Sequence, residues 1–254
     1  MTGPSQTVTR AELGAALGWL VHAGVDTVVG DTPFNWLAGP IAAVAPEQGP
    51  AATTVAAEPP RAGSLAIGAD SLAALAAALA EFDARPAGIL PMPPLFADGD
   101  AASGVMLVGD RPSLADAAAG RVFGDTAGEL LDRMLAAIGR SRGSAYLANL
   151  VAWPTPADRA STPAEIAAAA PFVRRQIQLA RPRAILALGQ AAATALCGTT
   201  QGIARLRGQW QTAEFDGLTV PVMPTFHPTH LLRHPAHKAM AWLDLCSFKA
   251  RIDA

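Results

Sequence analysis

The stretch GVMLVGDRPSLADAAAGRVFGDTAGELLDRMLAAIG, residues 104–139, decides the fold. It opens with four apolar residues that end at Gly109, a pattern typical of a strand buried on both faces. After a polar loop, Thr126 and Glu129 form a capping-box pattern, and the leucines that follow recur on one face of a helix. Strand, loop and helix in this order place polar side chains at the carboxyl end of a parallel strand, where ligands bind.

Composition restricts the class of protein. With 254 residues, 51% of them hydrophobic, the chain is long enough for one sizeable α/β domain, or for one domain plus an extension. Its net charge of −2 argues against a broadly basic DNA-binding surface, but it allows a local patch that grips one nucleotide. No stretch matches an uncharged membrane span, and residues 1–13 lack the apolar core of a signal peptide. We therefore expect a cytoplasmic protein that does not contact membranes.

The chain is predicted to divide into two parts. Residues 1–95 are interpreted as an N-terminal helical and Pro/Ala-rich extension. Within it, a flexible linker at 40–66 joins helices expected at 9–22 and 70–82. Residues 96–254 are predicted to form the main domain.

The main domain alternates predicted strands with predicted helices. After the first strand, further strands are expected at 145–151, 184–188 and 220–225, with helices starting at Thr162, after Gly189 and near Pro235. Residues 202–218 are interpreted as a hairpin or loop. The alternation predicts an α/β fold, a three-layer α/β/α sandwich with a central, mostly parallel sheet of about four strands.

Four segments near predicted strand ends carry the functional signal. They are GDRPS at 109–113 with GRVF at 120–123, YLANLV at 146–151, RLRGQW at 205–210 and PTFHPTHLLR at 224–233. In this order they resemble the motifs of the uracil-DNA glycosylase superfamily, most closely its family-four type. The last segment matches the family's His-Pro-x-x-Leu-Leu-Arg motif and is the most specific. The resemblance runs from about residue 96 to the C-terminus.

The resemblance implies an enzyme of base excision repair that flips uracil, or a related deaminated base, out of DNA and hydrolyses its bond to the sugar. His227 would donate a hydrogen bond to the departing base anion, and Asp110 stands where the family has its motif-one glutamate. Asn149 would read the polar edge of the base, and Phe123 would stack on its face. Gly109 and Pro112 are assigned to the same pocket.

Five residues are assigned to DNA contact. Arg111, Arg205, Arg207 and Arg233 are predicted to hold phosphates, although Arg111 could instead bind the leaving anion or block the base. One apolar side chain of the pair Leu231 and Leu232, assigned as Leu231, is predicted to fill the gap left by the flipped base. Surface arginines are more often simply solvated, and leucines after a turn more often pack inward. The implied partner is single- or double-stranded DNA, bound by a monomer.

The cysteines argue against the metal cluster of the resembling family. Family-four members typically carry four cysteines that hold an iron–sulfur cluster. The positions aligned with three of them are Arg85, Trp153 and Ala169, and the two cysteines of the chain, Cys197 and Cys246, form no CxxC pair. We therefore predict no iron–sulfur cluster and no metal site.

Motif one departs from the family at three positions. Asp110 replaces a glutamate, Arg111 replaces a small residue and Ser113 replaces a glycine. These changes leave a second hypothesis open, a catalytically degenerate member that binds DNA or a protein partner through the same cleft. A different small-molecule hydrolase on a doubly wound sheet is more distant, because we identify no Ser-His-Asp elbow and no metal-ligand set.

Overall fold

The computed structural model describes residues 62–253. The helix predicted at 9–22 and most of the linker predicted at 40–66 lie outside the described residues. The end of that linker is helical instead, within the helix Ala62–Gly68. Ala62 and Ala66 lie one turn apart and are both buried, so the small residues that suggested a linker serve close helix packing.

A six-stranded sheet forms the centre of the described part of the chain. Its strands are β1 (Asp98–Gly99), β2 (Val105–Gly109), β3 (Tyr146–Asn149), β4 (Ala184–Leu188), β5 (Gln211–Phe215) and β6 (Leu218–Thr225). Their order is β1-β3-β2-β4-β6-β5, with the four inner strands parallel and each edge strand antiparallel to its neighbour. The predicted α/β fold and mostly parallel sheet are confirmed, but the strands number six rather than about four.

The two additional strands are the edge strands. β1 has two residues, too few to show any periodicity. β5 lies in the segment interpreted as a hairpin or loop, and it forms a hairpin with β6 through Asp216 and Gly217, whose φ angles of 47° and 89° are left-handed. Ala213 and Phe215 are buried while their neighbours in β5 are not, as expected for an edge strand with one face in the core.

Helices flank the sheet and precede it. Within residues 62–253 the α-helices are α1 (Ala62–Gly68), α2 (Leu72–Glu81), α3 (Leu114–Ala119), α4 (Thr126–Ala137), α5 (Pro163–Ala180), α6 (Gln190–Cys197), α7 (Ile203–Leu206), α8 (Pro228–Arg233) and α9 (Lys238–Ile252). None of these helices is long and apolar enough to cross a membrane.

Two helix starts that were predicted from sequence have different outcomes. Thr162 and Glu165 form the expected capping box at α5. At α4 the cap is Asp125 rather than Thr126, and its carboxylate accepts hydrogen bonds from the backbone N–H groups of Ala127 and Gly128. Asp125 has the extended backbone of a cap, with φ −99° and ψ −170°, which makes Thr126 the first helical residue.

The alternation of side chains along β2 produces the two packed faces of the sheet. Val105 and Leu107 belong to one apolar cluster, which contains residues of α4 and α9. Met106 and Val108 belong to a second cluster, which contains residues of α5 and α6. All five residues of β2 are buried, so the strand stands at the centre of a three-layer sandwich.

A third apolar cluster joins α1 and α2 to the sandwich. Leu75 and Leu79 of α2 pack in the same cluster as Trp153 and Phe172, and α1 contributes Ala62 and Ala66. The ring of Phe82 lies 5.2 Å from that of Phe172 and 6.1 Å from that of Trp153, measured between centroids. Residues 62–95, which were assigned to an extension from the sequence, therefore share a core with residues that follow β3 in the chain.

The third cluster predicts a large effect of Phe172→Ala on stability. Phe172 is 4% exposed, so its truncation should lower the free energy of unfolding by about 3–5 kcal/mol, measured by urea denaturation. Leu243→Ala is the control, because Leu243 is 67% exposed and its truncation should change stability by about 0.5 kcal/mol or less. Equal effects of the two substitutions would contradict this packing.

Candidate active site

The carboxyl ends of the parallel strands bring the motif residues together. Gly109 at the end of β2 pairs in register with Asn149 at the end of β3, and β6 ends two residues before His227. A pocket of about 540 Å³ opens at this edge, and its lining includes Asp110, Phe123 and His227. The structure therefore brings four of the assigned side chains to one edge of the sheet, as parallel strands require.

His227 is a neutral hydrogen-bond donor aimed away from its own helix. It caps α8, where its Nδ1 accepts a hydrogen bond from the backbone N–H of Thr229 at 3.2 Å. Because Nδ1 is the acceptor, the proton of the neutral ring is on Nε2, and Nε2 is buried without a hydrogen-bond partner. Burial lowers the pKa of His227 to about 4, which outweighs the opposing charge of Asp125. Nε2–H is therefore available to a ligand at neutral pH.

Asn149 presents a buried amide with no partner. The residue is 5% exposed, and neither its Oδ1 nor its Nδ2 makes a hydrogen bond. Gly109 permits this arrangement, because a Cβ at that position would lie 2.4 Å from Asn149 Oδ1 and 2.5 Å from Phe123 Cζ. An amide can donate and accept at once, so Asn149 suits a planar ligand with a donor and an acceptor on one edge.

Phe123 has a left-handed backbone that several polar groups hold in place. Its φ is 52°, uncommon for a residue with a large side chain. Arg142 donates hydrogen bonds to the carbonyl oxygens of Val122 at 2.8 Å and of Phe123 at 2.5 Å. The following helix approaches so closely that a Cβ on Gly128 would lie 1.8 Å from the Phe123 carbonyl oxygen. The aromatic ring is thereby fixed 5.7 Å from the ring of His227, between centroids.

Asp110 is held at the start of α6. Its Oδ1 accepts a hydrogen bond from the backbone N–H of Ala192 at 2.7 Å. Gly189 leaves the space for it, since a Cβ there would lie 2.6 Å from Asp110 Oδ2. Burial raises the pKa of Asp110 to about 6, with the Ala192 amide and the Arg111 guanidinium opposing the rise. A carboxylate with such a pKa can accept a proton near neutral pH.

The apolar residue assigned to DNA contact lies in the core. Leu231 is 1% exposed and packs in the same cluster as α4 and α9. Its neighbour Leu232 is 40% exposed and is the leucine that faces solvent. The assignment of Leu231 as a wedge is therefore wrong, because the turn of α8 directs it inward. Arg233, at the end of α8, is exposed and lines the pocket, and its contact with phosphate stays a prediction.

The arginines of the third motif separate into two roles. Arg207 pairs with the buried Asp244, with Nε 3.0 Å from Oδ2, and Thr225 donates a hydrogen bond to the same Oδ2 at 2.7 Å. Its assignment as a phosphate contact is therefore wrong, because the guanidinium is used inside the protein. Arg205 is exposed on α7 and is not part of the pocket lining.

Arg111 and Pro112 follow Asp110 in the loop. The side chain of Arg111 is 16% exposed and pairs with Asp158, with Nη1 3.1 Å from Oδ1. Pro112 is buried, and its carbonyl oxygen accepts a hydrogen bond from Arg111 Nη1 at 3.1 Å. Arg111 is therefore directed across the pocket mouth rather than into solvent.

Three residues of the site were not identified from sequence. Arg142 and Asp116 hold the loop that carries Phe123; Asp116 Oδ1 accepts hydrogen bonds from the backbone N–H groups of Gly124 at 2.6 Å and Asp125 at 3.0 Å. Ser161 lines the pocket with a buried hydroxyl that has no partner. The Ser-x-x-Asp pattern at 113–116 was a signal for a capping box, which the structure contains at α3. Nothing in the local sequence marks Arg142 or Ser161.

The described residues do not fit an iron–sulfur cluster. At the aligned positions, Trp153 and Ala169 are buried in the third apolar cluster, and Arg85 pairs with Asp83. Cys197 and Cys246 lie on different helices, α6 and α9. Across residues 62–253, no group of three or more His, Cys, Asp or Glu side chains is arranged to hold a metal ion.

Comparisons with known proteins agree with this geometry. The family model of the uracil DNA glycosylase superfamily matches residues 96–246. A protein of Pyrobaculum aerophilum named type-4 uracil-DNA glycosylase is 32% identical over 59% of this chain and 79% of its own length. Proteins of the same name from Saccharolobus solfataricus and Thermotoga maritima are 32% and 34% identical, over 54% and 56% of this chain and 66% and 72% of their own lengths.

The raised pKa of Asp110 predicts that Asp110→Asn stabilises the protein at alkaline pH. Ionising a buried carboxyl opposes folding. The free energy of unfolding of the wild type should therefore fall as the pH rises from 3.8, the pKa in the unfolded chain, through about 6, the pKa in the folded protein. The asparagine keeps an acceptor for Ala192 without the charge. Its advantage over the wild type in urea denaturation should grow by about 2 kcal/mol between pH 4.5 and pH 8. A difference independent of pH would contradict the burial of this charge.

Proposed function

The chain belongs to the uracil DNA glycosylase superfamily, and from this premise we propose that it hydrolyses the bond between a uracil, or a related deaminated base, and the sugar of DNA. One observation carries the proposal. Within residues 62–253, the buried side-chain polar atoms without a hydrogen-bond partner lie on Asn149, His227 and Ser161. Buried polar atoms are rarely left unpaired, so these residues are complementary to a polar ligand that the protein itself does not supply.

In the proposed reaction the base leaves the DNA stack and enters the pocket. Phe123 stacks on its face, while the Asn149 amide donates to one polar atom of the base edge and accepts from another. Gly109 lets Asn149 and Phe123 lie directly against the end of β2, since any side chain there would collide with one or the other. The cost of extracting the base is offset by these contacts, which are fixed before the base arrives.

The bond between the base nitrogen and C1′ then breaks, and its electron pair stays with the base. His227 Nε2–H donates to the carbonyl oxygen on which negative charge develops, and the neutral ring does so without first gaining a proton. Water adds to C1′, and its proton passes to the Asp110 carboxylate, whose pKa of about 6 suits a general base near neutral pH. The products are the free base and an abasic sugar.

DNA is the macromolecular partner in this proposal, and base excision repair is the process. Arg233 at the pocket rim supplies a phosphate contact, and the exposed Leu232 beside it is positioned to reach the space vacated by the base. We further propose that the protein acts as a monomer in the cytoplasm.

A non-catalytic member that binds DNA or a protein partner through the same pocket is the second candidate. The observation that favours it is the position of Asp110, because this carboxylate is one methylene shorter than glutamate and is already bonded to the Ala192 amide. Uracil-containing oligonucleotides, single- and double-stranded, followed by alkaline cleavage of abasic sites, distinguish the two candidates. Binding without cleavage would favour the second.

We expect His227→Ala to lower the single-turnover excision rate about 10²–10³-fold, because it removes a donor that acts on charge present only in the transition state. Affinity for uracil-containing DNA should change much less, since the uncharged base needs that hydrogen bond less. Arg233→Ala is the matched comparison, with weaker binding, a shallower salt dependence and a nearly normal rate at saturation. A His227→Ala protein that excises as fast as the wild type would refute the mechanism.

The pH dependence of the rate tests Asp110. Since the carboxyl is protonated below its pKa of about 6 and a base only above it, the single-turnover rate should rise through that pH and then level off. Asp110→Asn should abolish this rise and lower the plateau by about 10²-fold or more. An unchanged profile in Asp110→Asn would remove Asp110 from the reaction.

A further inference from the structure

Two successive residues of motif one reach to opposite sides of the pocket. The Asp110 carboxylate accepts from the backbone N–H of Ala192 at the start of α6. The Arg111 guanidinium extends to the turn at 156–158, where Nη1 donates to Asp158 Oδ1 at 3.1 Å and Nη2 donates to the Asp158 carbonyl oxygen. The same Oδ1 also accepts from the backbone N–H of Leu114, at 3.0 Å. Asp158 is thus held by three hydrogen bonds from Arg111 and Leu114, in the segment that follows β2.

The turn that Arg111 reaches has a backbone that needs external support. Ala157 and Asp158 both have left-handed φ angles, of 51° and 55°, although neither is a glycine. Residues in such conformations persist only where the surroundings determine them. Beyond the turn, Arg159 pairs with the buried Glu165 at 2.6 Å, which fixes the chain to the first turn of α5. Arg111 supplies the corresponding support on the pocket side.

The supported segment is a wall of the pocket. Asp158, Ala160 and Ser161 line the same space as Asp110 and His227. Ser161 also presents a buried hydroxyl with no partner. The position of the turn therefore sets how much room a flipped base has, and where the Ser161 hydroxyl meets it.

We propose that Arg111 is a positioning residue, which latches the turn at 156–158 across the pocket mouth and so fixes the wall that confines the flipped base. This inference rests on the proposed function and replaces the assignment of Arg111 to DNA phosphate. The Arg111 side chain is 16% exposed, and its guanidinium donors already bind a carboxylate and two carbonyl oxygens. Ser161, held by this wall, then contacts a polar atom of the base or its sugar.

A double-mutant cycle of Arg111→Ala and Asp158→Ala tests the latch. Each single variant should lower the single-turnover excision rate roughly 10- to 100-fold, because a misplaced wall misaligns the base. The double variant should be no slower than the slower single variant, since both remove one interaction. Binding to an oligonucleotide with a hydrolysis-resistant 2′-fluoro deoxyuridine should change by less than about twofold, with an unchanged salt slope.

Three results of the rate and binding measurements would overturn the latch. The first is a loss of DNA affinity and a shallower salt slope in Arg111→Ala that Asp158→Ala does not share, which would return Arg111 to phosphate binding. The second is additive losses of rate. Arg111→Lys should recover only part of the rate, because an ammonium cannot replace a fork that spans a carboxylate and a carbonyl; full recovery would also overturn the latch.

Amide hydrogen exchange separates this inference from the proposed function. In Arg111→Ala, the amides of Leu114 and of residues 157–161 should exchange about tenfold faster or more, whether or not the protein excises a base. Arg133→Ala is the control, because Arg133 is a surface arginine on α4 with a side chain 78% exposed. If the wild type excises no base, the proposed function is refuted, but the exchange rates still test the latch. Unchanged exchange in Arg111→Ala would refute the latch even in an active enzyme.

Discussion

The buried amide of Asn149 is the constraint on which the site depends. Leaving a buried donor or acceptor unpaired costs about 1–3 kcal/mol, and this residue leaves one of each. The parallel register places it beside Gly109, and the missing side chain of that glycine lets the amide and the Phe123 ring lie directly against the strand. The unpaired amide therefore lowers the folding stability at one point of a well-packed sheet. Local losses of stability of this kind are typical of binding sites.

The surrounding loop is rigid because charged groups bind its backbone. Arg142 holds two carbonyl oxygens next to Phe123, and it is itself paired with Asp98 and Asp132. Asp116 holds two N–H groups on the other side of the same turn. A loop secured from both sides can keep an aromatic side chain in a left-handed conformation, so the ring is in place before a ligand arrives.

Regular apolar patterns predicted the parallel strands, and motif resemblance predicted His227, Asn149 and Phe123. The edge strands were missed because β1 is too short for a pattern and β5 buries only part of its residues. Leu231 and Arg207 were misassigned for another reason: their roles depend on partners far along the chain. Asp244, which pairs with Arg207, lies 37 residues away, and local spacing carries no information about it.

The cluster around Phe82, Trp153 and Phe172 has a consequence for how α1 and α2 are held. Its members include Trp153 and Ala169, which stand at positions aligned with cysteines of the resembling family, and they pack as an apolar core. Attachment of this kind depends on the volume and shape of the side chains, so conservative changes in the cluster loosen it in small steps instead of releasing it at once.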